Sequence, residues 1–189
     1  MPLRIGNAQG FWGDSMDAPA TLLAQQPDLD YLTLDYLAEV SLSIMAVQQQ
    51  KDPAAGYARD FVEVVKSLAP FWRAGSKCKV VTNAGGLNPE GCAKACAAVL
   101  REAGCSHLKI GVVSGDDVLA LLKAGSGEIP LFKNMETGEP LSTVCDRLVT
   151  ANAYFGARPV VDALAGGADL VLTGRVADPS LVVGPCVYH

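Results

Sequence analysis

Lys79-Val80-Val81-Thr82-Asn83-Ala84-Gly85-Gly86-Leu87-Asn88-Pro89-Glu90-Gly91 carries a strand, a turn and a helix start in one short stretch. The β-branched run 79–82 is too short for a helix and suits a fully buried strand. Asn88 suits an N-cap and Pro89 a first helical position. From Pro89 to Ala103 the apolar residues Cys92, Cys96, Val99, Leu100 and Ala103 recur on one helical face, and Gly104 suits the left-handed stop. The same alternation runs outward in both directions. Further strands are predicted at Leu3–Ile5, Tyr31–Leu34, Leu108–Val113, Leu148–Ala151 and Leu170–Leu172. Helices are predicted over about 39–50, over 57–71 with Phe61, Val64, Val65 and Leu68 inward, after Asp116-Asp117 with Val118, Leu121 and Leu122, and over 159–165. Strand–helix–strand alternation predicts right-handed βαβ units. The expected fold is α/β, a mostly parallel sheet with helices on both faces in three layers, as a single domain over 1–189. Residues 126–142 break the rhythm with Gly127, Pro130, Gly138 and Pro140, and predict a small hairpin excursion around a Met135–Gly138 turn.

Composition narrows the function classes. The chain has 189 residues, 50% hydrophobic and 19% charged, which fits a globular core and not disorder. The net charge is -5 and no basic run exceeds two residues, so no nucleic-acid partner is expected. No apolar stretch approaches the ~20 residues of a membrane span. The start, Met1-Pro2-Leu3-Arg4, has no signal-peptide core, so a cytoplasmic protein is expected. The six cysteines show no metal-ligand spacing and read as small buried thiols.

The polar residues gather where the apolar runs end. In an open parallel sheet those ends share one edge, and ligands bind in the crevice there. After the first run come Gly6, Asn7, Gln9, Gly10, Gly13 and Asp14; the glycines permit tight turning and close ligand approach, though the spacing is not that of a dinucleotide fingerprint. After the second come Asp35 and Glu39. They are candidates for an acid–base pair or for oxygen ligands to magnesium or manganese, and equally for a cap and a first-turn acid. After the third come Asn83, Gly85, Gly86 and Asn88. Gly86 and Gly91 have P-loop spacing, but Cys92 and Ala93 stand where Lys and Ser/Thr are needed, so there is no ATP fingerprint. That turn could still offer backbone N–H groups to an anion. After the fourth come Asp116 and Asp117, read as caps of the next helix. Asn152 and Tyr154 offer neutral hydrogen bonds. Arg175 and Asp178 follow the last run: a clamp for an anionic ligand, or an ion pair that stiffens the loop. With only His107 and His189, acid–base work falls to carboxylates.

Five blocks together resemble the acyclic terpene utilisation (AtuA) family. They are Ile5–Asp14, Leu29–Glu39, Thr82–Pro89, Ala151–Ala157 and Gly167–Pro179, in that order. Family members are typically much longer, and the resemblance is to their N-terminal part. It implies a place in the breakdown of acyclic terpenes such as citronellol and geraniol, through branched acyl-CoA intermediates. It marks the motif positions as site candidates; their roles come from the residue types.

The expectation is therefore an enzyme acting on a small organic acid or acyl-CoA by a hydration, lyase or isomerase step. Asp35, Glu39, Asp14 and Asp178 are the catalytic candidates. Asn7, Gln9, Asn83, Gly85, Gly86, Asn88, Asn152, Tyr154 and Arg175 are the substrate-binding ones. Asp35 and Glu39 would hold a divalent cation if one is used. The alternative is a non-catalytic ligand-binding or assembly subunit of a catabolic complex, and either form is expected as a homo-oligomer or complex partner.

Overall fold

The computed structural model describes residues 2–125 and 132–189. Five strands, β1 (Ile5–Gln9), β2 (Tyr31–Leu34), β3 (Lys79–Thr82), β4 (Ile110–Val113) and β5 (Leu170–Thr173), form one all-parallel sheet in the order β1-β2-β3-β5-β4. The helices are α1 (Ala18–Gln25), α2 (Glu39–Lys51), α3 (Asp60–Arg73), α4 (Pro89–Glu102), α5 (Leu119–Ala124), α6 (Arg158–Ala165) and α7 (Ser180–Tyr188).

Alternate strand residues feed two separate cores, which makes the three layers. Leu32, Leu34, Val80, Leu170 and Leu172 pack on one face with Leu23 of α1, Phe61, Val64 and Leu68 of α3, and Cys92 and Cys96 of α4. Tyr31, Val81 and Val171 pack on the other with Val160 and Leu164 of α6 and Leu181 of α7. The expected α/β architecture is what the chain adopts. Asn88 caps α4 by accepting from the Gly91 N–H at 2.9 Å, and Gly104 takes φ +74° after it.

The differences are local. β1 runs on through the segment expected to be a loop: as an edge strand it needs only β2 beside it, and Gly6 leaves room where a Cβ would sit 2.9 Å from Leu22 and Leu29. Leu148–Ala151 is not a strand. It is held outside the sheet by Val118 N–H to Ala151 O and an isolated bridge at Asn152, and Val149 is exposed. α5 buries no side chain, so Leu121 is not inward. α1 and α7 were not foreseen. α1 buries only Pro19 and Leu23, too few for a periodic stripe. α7 contains Gly184 and Pro185 and looks strand-like, yet Gly184 lets it lie directly against α6, where a Cβ would meet Val160 at 2.5 Å. Five cysteines are buried, but Cys186 on α7 is exposed. The hairpin excursion lies partly outside the described residues. From Phe132 onward a Lys133–Pro140 bridge closes the Asn134–Glu139 turn. Among the described residues no helix is long and apolar enough to cross a membrane.

Candidate functional site

The carboxyl ends of β2, β3, β5 and β4 deliver Asp35, Asn83, Gly174 and Ser114 to one edge. The chain leaves β3 towards α4 on one face of the sheet and leaves β5 towards α7 on the other. Loops that diverge between adjacent strands open a crevice, the place where doubly wound sheets bind ligands. Here the two strands approach closely. A Cβ on Gly85 would lie 2.5 Å from the Thr173 carbonyl oxygen, so no side chain fits there.

Asp35 and Asn83 form one wall. The Asn83 amide donates to Asp35 Oδ1 at 2.7 Å, and its carbonyl accepts from the buried Tyr36 N–H at 2.7 Å. Asp35 Oδ1 also accepts from the Leu37 N–H at 3.3 Å. Among the described residues Oδ2 has no such partner. Burial pushes the Asp35 carboxyl above its ordinary range; the Asn83 hydrogen bond opposes this, Asp178 adds to it and Arg175 opposes it.

Arg175 bridges the loops at these strand ends. It is buried, with Nη1 donating to Leu37 O at 2.7 Å and pairing with Asp178 at 3.2 Å. Nη2 donates to the Tyr154 hydroxyl at 2.7 Å and lies 3.6 Å from Glu39. Its guanidinium carbon lies 4.1 Å from the Tyr154 ring centroid, in cation–π range. The Tyr154 hydroxyl in turn donates to Glu39. That bond holds the Glu39 carboxyl below its usual range and raises the tyrosine. The arginine therefore spends both terminal nitrogens on the protein and ties three segments together. The Arg175–Asp178 ion pair read as the alternative in the sequence is present.

Asp116, read from the sequence as a cap of the next helix, has a different role. Asp117 accepts from the Leu119 N–H at 2.9 Å, at the start of α5, as a cap would. Asp116 is instead buried and crosses to the next loops. Its Oδ2 accepts from the Arg175 N–H at 2.7 Å and the Asn152 amide at 2.9 Å. Gly174 makes room, since a Cβ there would sit 2.3 Å from Asp116 Oδ1. The available signal was position: Asp116 follows a strand end, as Asp35, Asn83 and Arg175 do. Leu37 O, a backbone acceptor, carries no sequence signal at all.

Other candidates are placed elsewhere or otherwise occupied. Asn7 is exposed on edge strand β1 beside Thr33, along the groove against α1. Gln9 is buried, with Nε2 on Ser15 O at 3.4 Å and Oε1 without a partner among the described residues. Asp14 accepts from the Gly10 N–H at 2.8 Å and closes its own loop. Asn88 caps α4 and donates to Ala54 O and Ala55 O. The turn expected to offer free N–H groups has most of them in use: Gly86 donates to Asn83 O, and Leu87 and Asn88 to Gly56 O. Beside it a cavity of 220 Å³ runs between Gly86–Glu90 and Ser114–Asp117, with Asn152 on its wall. Asp35 and Glu39 hold different partners, and among the described residues no group of three or more His, Cys, Asp or Glu could bind a metal ion.

The fold and this edge define an α/β protein with a polar crevice at the carboxyl ends of a parallel sheet. The acyclic terpene utilisation family protein AtuA model matches residues 3–189, and the chain belongs to that family. The family's name ties it to acyclic terpene utilisation. A search of the curated proteins found no match.

Proposed function

We propose that the chain is a cytoplasmic enzyme of acyclic terpenoid or branched acyl-CoA catabolism, and that it moves a proton on a small organic acid or acyl-CoA. A hydration, lyase or isomerase step needs a group that both holds and releases a proton near neutral pH. The observation that carries this reading is Asp35. Its carboxyl is half-buried and raised, one oxygen is fixed by Asn83 and Leu37, and the other is unengaged. Arg175 supplies fixed positive charge beside it, and Asp178 completes the charge set.

The test is Asp35→Asn, assayed on branched acyl-CoAs and terpenoid acids. Turnover should vanish while the circular dichroism and melting remain those of a folded protein. Retained turnover would remove Asp35 from the chemistry.

A second reading, a non-catalytic binding or assembly subunit, is favoured by one observation. The α2 face carrying Val40, Ile44 and Val47 is exposed. A stoichiometric partner in pull-downs, with no product formed by the same sample, would select it.

A further inference from the structure

We propose that the pocket walled by Trp12 and Tyr57 is a second small-molecule site, for a flat anionic ligand. The pocket lies between the last turn of α2, the loop 52–59 and the first residue of α3, with the loop after β1 as its remaining wall. Its volume is 480 Å³, within the range of small-molecule sites. None of its residues belongs to the Asp35–Arg175 network, so it is a separate site.

Two features define the ligand. First, the aromatic wall is fixed in place. The Trp12 indole donates to Asp60 Oδ1 at 2.9 Å, and its backbone N–H donates to Tyr36 O at 3.2 Å. A held indole and a tyrosine lining the same pocket favour a flat body that can stack. Second, the charges are not equivalent. Asp52 and Arg59 pair with each other, and Asp60 is engaged by the indole. Lys51 lines the pocket and, among the described residues, makes no ion pair or side-chain hydrogen bond. An ammonium without an ion-pair partner in the lining of an aromatic pocket selects a carboxylate or phosphate. The two sources of such a ligand, an aromatic acid and a nucleotide, share this chemistry and can be separated by titration.

The chain has two tryptophans, Trp12 and Trp72. Trp72 is buried and its indole donates to Cys78 O at 2.9 Å, so it serves as an internal control. The experiment follows the two indole N–H signals of the nitrogen-15-labelled full chain, assigned with Trp12→Phe. The probes are 2-naphthoate, its neutral analogue 2-naphthylmethanol, cyclohexanecarboxylate, and AMP. At least one planar anion should shift the Trp12 signal saturably while Trp72 stays still, and cyclohexanecarboxylate should bind more weakly. Tighter AMP binding would identify a nucleotide ligand, and tighter naphthoate binding an aromatic acid. Lys51→Ala, on an exposed last turn, should weaken the planar anions about five-fold and leave naphthylmethanol unchanged. The proposal fails if neither planar anion shifts Trp12 selectively, if naphthylmethanol binds as well as naphthoate, or if Lys51→Ala changes nothing.

Discussion

Two pairs of acidic residues look alike in the sequence and end in opposite surroundings. Asp35 and Glu39 follow β2; Asp116 and Asp117 follow β4. In each pair the first residue is drawn inward and the second stays exposed. Asp35 is half-buried with its carboxyl raised, whereas Glu39 is exposed with its carboxyl lowered by Tyr154. Asp116 is buried among the Arg175 N–H and the Asn152 amide, whereas Asp117 bonds the start of α5. Burial decides the chemistry. An inner carboxylate must be hydrogen-bonded or protonated, because desolvation penalises its charge. A rim carboxylate keeps its charge and contributes little to stability.

The largest test of that contrast is Asp116→Ala. It strands two donors, the Arg175 N–H and the Asn152 amide, in a buried setting. Losses of about 1–3 kcal/mol per stranded group suggest about 4 kcal/mol in total, read from denaturant unfolding. The matched rim change, Asp117→Ala, should cost about 1 kcal/mol, the worth of a cap. Equal costs would erase the distinction.

Next in size is Asn83→Ala, expected to cost about 2 kcal/mol because the buried Tyr36 N–H loses its acceptor. It should also raise the Asp35 carboxyl further, since the Asn83 bond is the strongest of the interactions that lower it. A carbon-13 titration of the Asp35 carboxyl would show that upward move, and an unchanged midpoint would mean Asn83 does not hold it.

A smaller effect separates the inner carboxylate by pH. The Asp35 carboxyl stands above its ordinary value of 3.8 in the folded chain. Its contribution to stability is then full below 3.8 and is lost as pH rises through the raised native value. Asp35→Asn stays neutral throughout. It should match the parent in stability below 3.8 and exceed it at higher pH, while losing activity. A stability difference that does not grow with pH would deny the raised carboxyl. Gain of stability with loss of function is the mark of a group kept under strain for its chemistry.

The strand ends were legible because Asn, Asp, Gly and Arg follow short apolar runs. β2 and β3 fall where those runs stand, and α4 has its cap, proline and stop in the sequence. What was not legible depends on a neighbour the sequence does not name. The segment 148–151 is apolar enough for a strand, but β5 occupies the position beside β3. α7 packs against α6 at Gly184, where a Cβ would meet Val160, a contact the sequence does not announce. Arg175 was read correctly as a charged group at a strand end. The engagement of its two terminal nitrogens by Leu37 O, Tyr154 and Asp178, with Nε buried and without a partner among the described residues, follows from three loops converging, which spacing along one chain does not encode.

The smallest expected effect falls on the rim itself, in Tyr154→Phe. The hydroxyl is lost but the ring remains over Arg175, so the cation–π contact at 4.1 Å persists. Arg175 keeps Leu37 O and Asp178 on Nη1, and Glu39 lies 3.6 Å from Nη2. Tyr154 is exposed, so water replaces much of what the hydroxyl supplied. The melting temperature should fall by about 2 °C or less. The Glu39 carboxyl, lowered chiefly by this hydroxyl, should climb back towards its ordinary 4.5 in a carbon-13 titration. A large drop in melting temperature would show that the rim holds the crevice closed as firmly as the wall does. The inner and outer carboxylates would then differ in burial but not in structural weight.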